Sequence, residues 1–182
     1  MIGRLLKIFL PILLGLALLV AGLVVVNVIK KVDWISKPTH QATESPQEAS
    51  KKPTKIYIPK LGRVLYVSDG YFDNNRWIVS ETGVSFYTDS AIPGHGNSVL
   101  YGHNRKGILG GLWRLNEGDF VYVILKNGHF VKYQISEEKE IKPTQVEILA
   151  QTQDSKLTLY TCSGFLDTAR FVVIGSQVES TI

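Results

Sequence analysis

One cysteine occurs among the 182 residues, Cys162, and its surroundings suit a thiol that does chemistry. The segment LTLYTCSGFLDTARFVVIGS reads as a strand ending at Cys162, a connection from Ser163 to Ala169, and a second strand opening at Arg170. Antiparallel pairing of these consecutive strands would set Cys162 and Arg170 opposite each other, about 4.5–5.5 Å apart. A guanidinium at that range favours thiolate over thiol and can hold an oxyanion during acyl transfer. A free cysteine is only a few per cent ionised at neutral pH, so a nucleophile gains from such help. The competing reading is a small buried cysteine at a strand end, with the arginine capping a nearby loop.

A thiol nucleophile also needs a proton carrier, and the sequence offers four histidines. His40 lies in a polar, proline-bearing stretch; His129 follows an Asn-Gly turn; His95 sits in the glycine-bracketed loop IPGHGN. His103 ends the run SVLYGHN, at the C-terminal edge of an apolar strand, and a rigid sheet end is a good mount for a catalytic side chain. His103 is therefore the candidate general acid and base, while His95 reads as incidental to the site.

The elements that must hold these residues are short and β-like. Strands are expected at 55–58, 64–67, 77–80, 84–87, 98–101, 120–125, 130–136, 156–161 and 171–178, with helical turns at 109–115 and 144–149. Asn127-Gly128 predicts a hairpin with a type I′ turn. After it, Val131, Tyr133 and Ile135 alternate with Lys132, Gln134 and Ser136, so one face is buried and one is wet. Many short strands of this spacing indicate an all-β barrel or sandwich. A lone cysteine excludes an internal disulfide and any zinc site built from several thiolates.

Ahead of this region, residues 8–29 read IFLPILLGLALLVAGLVVVNVI without an ionisable side chain. As a helix those residues span roughly 33 Å, enough for a hydrocarbon core of about 30 Å, so an uncleaved membrane anchor is expected. Basic residues flank both ends. The short segment 1–7 is placed in the cytoplasm and the larger C-terminal part outside, because large domains translocate largely regardless of charge. Residues 30–54 are read as a polar tether rich in Pro, Ser and Thr, and residues 55–182 as the folded domain. The formal charge of +4 is mostly membrane flank: from Lys31 onward, 17 basic residues face 16 acidic ones, which gives no case for nucleic acid.

TLYTC (158–162), GHN (102–104) and Arg170 opening RFVVIGS together resemble the sortases, membrane-anchored cysteine transpeptidases chiefly of Gram-positive bacteria. IYIPKLG, GVSFYTDSAIPGHGNSVLYGHN and the LWRLNEGDFVYV region occur in the order and approximate spacing of that family, so the resemblance covers about residues 55–178. It implies an eight-stranded sortase-type β-barrel with Cys162, His103 and Arg170 as the catalytic residues. Cys162 would attack the threonine carbonyl of an LPxTG-like sorting signal on a surface protein. An amine of a cell-wall precursor or a pilin would then resolve the thioacyl enzyme. Thr161 would contact substrate or oxyanion, with a structural strand threonine as the alternative.

No cofactor and no metal is expected. Glu137, Glu138 and Glu140 read as a solvated charge run beside Lys139 and Lys142 rather than a calcium site. No second apolar span follows Arg170, no lid motif precedes the barrel, and about 19 residues separate the strands around 136 and 156; these features point to a class A, D or E-like enzyme. Two rivals stay in view: a membrane-tethered cysteine peptidase acting by hydrolysis, with His103 and Asn104 as base and orienter, and a non-catalytic surface-binding β-barrel.

Overall fold

Strand order follows from where apolar side chains must go. A computed structural model describes residues 46–73 and 76–179. The expected span at 8–29 and most of the tether lie outside these residues, and among the described residues no helix is long and apolar enough to cross a membrane. The ten strands are β1 (Pro53–Ile58), β2 (Arg63–Gly70), β3 (Phe72–Asp73), β4 (Arg76–Trp77), β5 (Val84–Tyr87), β6 (Asn97–Gly102), β7 (Phe120–Leu125), β8 (Phe130–Ile141), β9 (Lys156–Ser163) and β10 (Ala169–Gln177). Eight of them close a barrel in the order β1-β2-β5-β6-β9-β10-β8-β7, and β3 and β4 form a separate two-stranded ribbon. The expected all-β, eight-stranded barrel is the observed architecture.

Alternation fills the barrel. On β7, Val121, Val123 and Leu125 point inward; on β8, Val131, Tyr133 and Ile135 do so, as the sequence pattern predicts. Leu109, Leu112 and Leu115, on and beside a 3₁₀ turn at Leu112–Arg114, join this core from the β6–β7 connection. β6 is buried at all six positions and pairs antiparallel with β5 but parallel with β9, as a central strand covered on both faces should.

Four local expectations are corrected. β1 begins at Pro53, two residues before the boundary expected from composition, after a short helix α1 (Pro46–Ser50). The reason is backbone pairing, which needs no apolar side chain: Lys126 N donates to Lys52 O (2.9 Å) and Asn127 N to Ser50 O (3.0 Å). The strand expected at 77–80 stops at Trp77, because Ser80 N donates to the Ser85 hydroxyl (2.8 Å) rather than to a ladder. The 127–128 turn is not type I′. Only Gly128 takes a positive φ (85°), and Gly128 N donates to Leu125 O (3.0 Å), so Lys126-Asn127-Gly128 form a type I turn with a glycine bulge. β8 runs on to Ile141: the acidic run is an exposed strand paired with β10, across a register shift between Ile174 and Gly175.

Candidate active site

Three neighbouring strand ends set the site. The parallel β6–β9 ladder ends on the pair Gly102 and Thr161, so His103 and Cys162 are the next residue on each strand. In the antiparallel β9–β10 ladder Cys162 faces Arg170, the opposition expected from the hairpin. His103, Cys162 and Arg170 all line one cleft of about 230 Å³, whose walls include Trp77, Tyr101 and Tyr160 on one side and the Ile141–Leu149 region on another. That region carries a 3₁₀ turn (Val146–Leu149) and is fastened by Asn97, whose Nδ2 donates to Ile148 O (2.8 Å) and Ala150 O (3.0 Å).

Thr161 is buried, and its hydroxyl donates to Gly102 O at 2.7 Å. A hydroxyl has one proton to give, so this side chain is not available as an oxyanion donor; it ties β9 to β6 one residue before Cys162 and His103. The hydroxyl thus plays the structural role that the sequence left as the alternative, while Thr161 still lines the cleft.

Arg170 is held from below. Its Nη1 donates to Asp167 O (2.9 Å) and Ala169 O (2.8 Å), while Nε and Nη2 make no hydrogen bond among the described residues. The β9–β10 connection, residues 164–168, is tightly wound: Gly164 has φ 74°, and Leu166 and Asp167 have φ 54° and 60° without being glycine. Each such non-glycine residue costs about 1–2 kcal/mol. The guanidinium grip on Asp167 O and Ala169 O is one of the forces that hold the connection in this shape.

Cys162 is a free thiol, half-buried. Burial pushes its pKa above the ordinary thiol value; Arg170 pulls it down and Asp167 pushes it up. The pull expected of Arg170 has the expected sign, but burial is the larger effect and the net shift is upward. The hydroxyls of Tyr101 and Tyr160 are pushed far above the usual phenol range by burial, so both act as neutral rings. They stack with centroids 5.5 Å apart, and Trp77 meets Tyr101 edge-on at 5.1 Å.

The sequence reading missed this aromatic wall, although a signal existed. Tyr101 is two residues before His103 and Tyr160 two before Cys162, which in a strand is the same face. It also missed Glu81, whose Oε1 lies 3.5 Å from His103 Nε2 and whose Oε2 accepts from Arg105 Nη1 at 2.9 Å. Nothing in an exposed Ser-Glu-Thr-Gly turn marks that carboxylate. Of the other histidines, His95 and His129 are exposed and outside the cleft, and His40 lies outside the described residues. Asn104, expected as an orienter under the peptidase reading, is exposed and does not line the cleft.

Residues 56–178 match the family model described as a sortase domain. Sortase A of Listeria monocytogenes is 31% identical over 104 residues, covering 54% of this chain and 46% of that protein. Sortase A of Bacillus anthracis is 30% identical over 128 residues, covering 68% of this chain and 59% of that protein. The chain thus spans about half the length of these relatives. Among solved structures, sortase C1 of Streptococcus agalactiae in complex with MTSET superposes with a TM-score of 0.63 at 22% identity, covering 76% of this chain and 77% of that one. A lid mutant of sortase A from Corynebacterium diphtheriae gives 0.61 at 24%, covering 74% and 75%. These two likenesses bear on the fold. With the family model matched across the whole barrel, the chain belongs to the sortase family.

Proposed function

We propose that this protein is a cysteine transpeptidase that cleaves an LPxTG-like sorting signal and transfers the surface protein to an amine of the cell envelope. The reading rests on one observation: three adjacent strand ends bring Cys162, His103 and Arg170 to one cleft, with Cys162 and Arg170 in register. In the first step the form that holds Cys162 as thiolate and the proton on His103 reacts: the thiolate adds to the threonine carbonyl and a C–S bond forms. The scissile C–N bond then breaks, and imidazolium at His103 gives its proton to the leaving amine. In the second step an incoming amine attacks the thioester and loses a proton to His103. The C–S bond breaks and the thiolate is regenerated. Arg170 holds the developing oxyanion through the part of its guanidinium not engaged by Asp167 and Ala169. Thr161 serves as a positioning residue between the two strands.

The enzyme is placed on the outer face of the cell membrane, anchored by residues 8–29, with the N-terminus in the cytoplasm. Its partners are sorting-signal proteins and a cell-wall or pilin amine. The connection between β8 and β9, residues 142–155, holds one 3₁₀ turn and no longer helix, which favours the class A, D or E-like assignment. The test is incubation of the full chain with an LPxTG-type peptide, with and without amine acceptors, and mass spectrometry of the products. An acyl-acceptor conjugate that disappears in Cys162→Ala is expected. Hydrolysis alone across a panel of acceptors would favour the peptidase, and no cleavage with an alkylation-resistant Cys162 would favour the binding barrel.

A further inference from the structure

His103 follows directly on β6, and the segment before β5 brings a carboxylate close to its ring. The β5–β6 ladder pairs Ser85 with Tyr101 and Phe86 with Leu100. Continuing that register past the strand ends brings Gly83 toward His103 and Glu81 toward Arg105. The side chains agree: Glu81 Oε1 is 3.5 Å from His103 Nε2, and Glu81 Oε2 accepts from Arg105 Nη1 at 2.9 Å. Among the described residues Glu81 is the carboxylate within ion-pair range of His103. His103 Nε2 is itself buried and makes no hydrogen bond, so 3.5 Å is a gap that a small ring or carboxylate shift closes. Arg105 first, and then His103, hold the Glu81 carboxyl below its ordinary pKa, so it is an anion at any working pH.

We infer that Glu81, clamped by Arg105, is a positioning residue for His103: it keeps the proton on Nε2 and so leaves Nδ1 as the nitrogen that gives and takes protons at the cleft. The inference rests on the transpeptidase reading for its consequence but not for its geometry. A neutral imidazole has two tautomers, and only the one with its lone pair toward the cleft can accept a proton from the incoming amine. A carboxylate at the far nitrogen selects that tautomer and steadies the imidazolium formed in turn, the division of labour seen wherever a base is oriented by a third group. Glu81 is largely exposed, with 71% of its side chain open to solvent, so its effect is smaller than that of a buried carboxylate and depends on Arg105 to hold it in place.

The test uses the full chain in detergent micelles, labelled with ¹⁵N-histidine, with His103→Asn identifying the His103 signals. In the unmodified protein the neutral ring is expected as the Nε2–H form. In Glu81→Ala it becomes a mixture of tautomers, and in Glu81→Asp the Nε2–H form is partly restored. In the peptide assay Glu81→Ala is expected to lower kcat by roughly tenfold to a hundredfold with KM within about twofold, since the contact acts on the proton steps rather than on peptide binding. Arg105→Leu should give a smaller loss of the same kind. An unchanged tautomer in Glu81→Ala overturns the inference, as does a loss that appears wholly in KM. Absence of any transfer by the unmodified protein would instead strike the transpeptidase reading, and the tautomer measurement would still decide the role of Glu81.

Discussion

Asn97 fixes one wall of the cleft, and replacing it should loosen that wall measurably. The side chain is 3% exposed and makes three hydrogen bonds: Nδ2 donates to Ile148 O (2.8 Å) and Ala150 O (3.0 Å), and Oδ1 accepts from Thr158 Oγ1 (2.8 Å). In Asn97→Ala the Thr158 hydroxyl, 2% exposed, loses its partner, at about 1–3 kcal/mol for a buried unsatisfied group. The two carbonyls sit near the surface and recover water, so their share is about 0.5 kcal/mol each. The sum is about 2–4 kcal/mol. At roughly 3–4 °C per kcal/mol for a domain of this size, Tm falls by roughly 6–16 °C, read by tryptophan fluorescence on heating. KM for the sorting peptide should rise, because Ile141–Leu149 lines the cleft. Asn97→Asp sharpens the reasoning. It keeps an acceptor for Thr158 but turns the other oxygen, as a buried anion, toward two carbonyls, so at pH 7 it should be less stable than Asn97→Ala. Near pH 4 the protonated carboxyl can donate again, and the difference between the variants should shrink. A fall below about 2 °C for Asn97→Ala, or wild-type stability for Asn97→Asp at pH 7, would refute this account.

Other expectations follow from Cys162 and its neighbours. Arg170→Lys should lose roughly a hundredfold or more in kcat/KM while keeping its charge, because an ammonium cannot hold Asp167 O and Ala169 O and still present a second donor edge to the cleft; near-normal turnover would remove Arg170 from the site. Alkylation of Cys162 by iodoacetamide should show a pH midpoint above the value of about 8.5 for a free cysteine, and Arg170→Leu should move it higher still; a midpoint at or below the free value would contradict the burial argument. The same raised pKa favours the protonated thiol in the folded state. Its contribution to stability is therefore present below the unfolded value and is lost as pH rises through the folded one, so Cys162→Ser should flatten the alkaline decline in Tm.

Much of the barrel was legible because strand periodicity is a local property. Val131, Tyr133 and Ile135 announce an inward face whatever they pack against, and a chain that turns back after Cys162 has few ways to place Arg170 except opposite it. The errors fall where a local signal competes with a partner elsewhere in the chain. The strand was expected to end at Ser136, yet β10 offers residues 137–140 a backbone edge, and exposed side chains cost such a strand little. Composition ended the tether at Thr54, yet the β7 hairpin already holds Ser50 and Lys52 through their carbonyls. Trp77 reads as the start of a strand, but the residues after it turn away toward Ser85.

The site divides along the same line. From sequence alone came Cys162, the arginine across from it, and the histidine that a strand end could present. Tertiary structure decided the rest. His103 comes to the same cleft as Cys162 through a parallel β6–β9 pairing across more than fifty intervening residues. The same pairing engages the Thr161 hydroxyl with Gly102 O, and the β5–β6 register brings Glu81 to the imidazole of His103. Burial at the barrel end, which no single strand reveals, pushes the thiol pKa up against the pull of Arg170. Identity and alternation along one strand are written locally, whereas contact between strands distant in sequence, and the loss of water that comes with it, exist only once the barrel has closed.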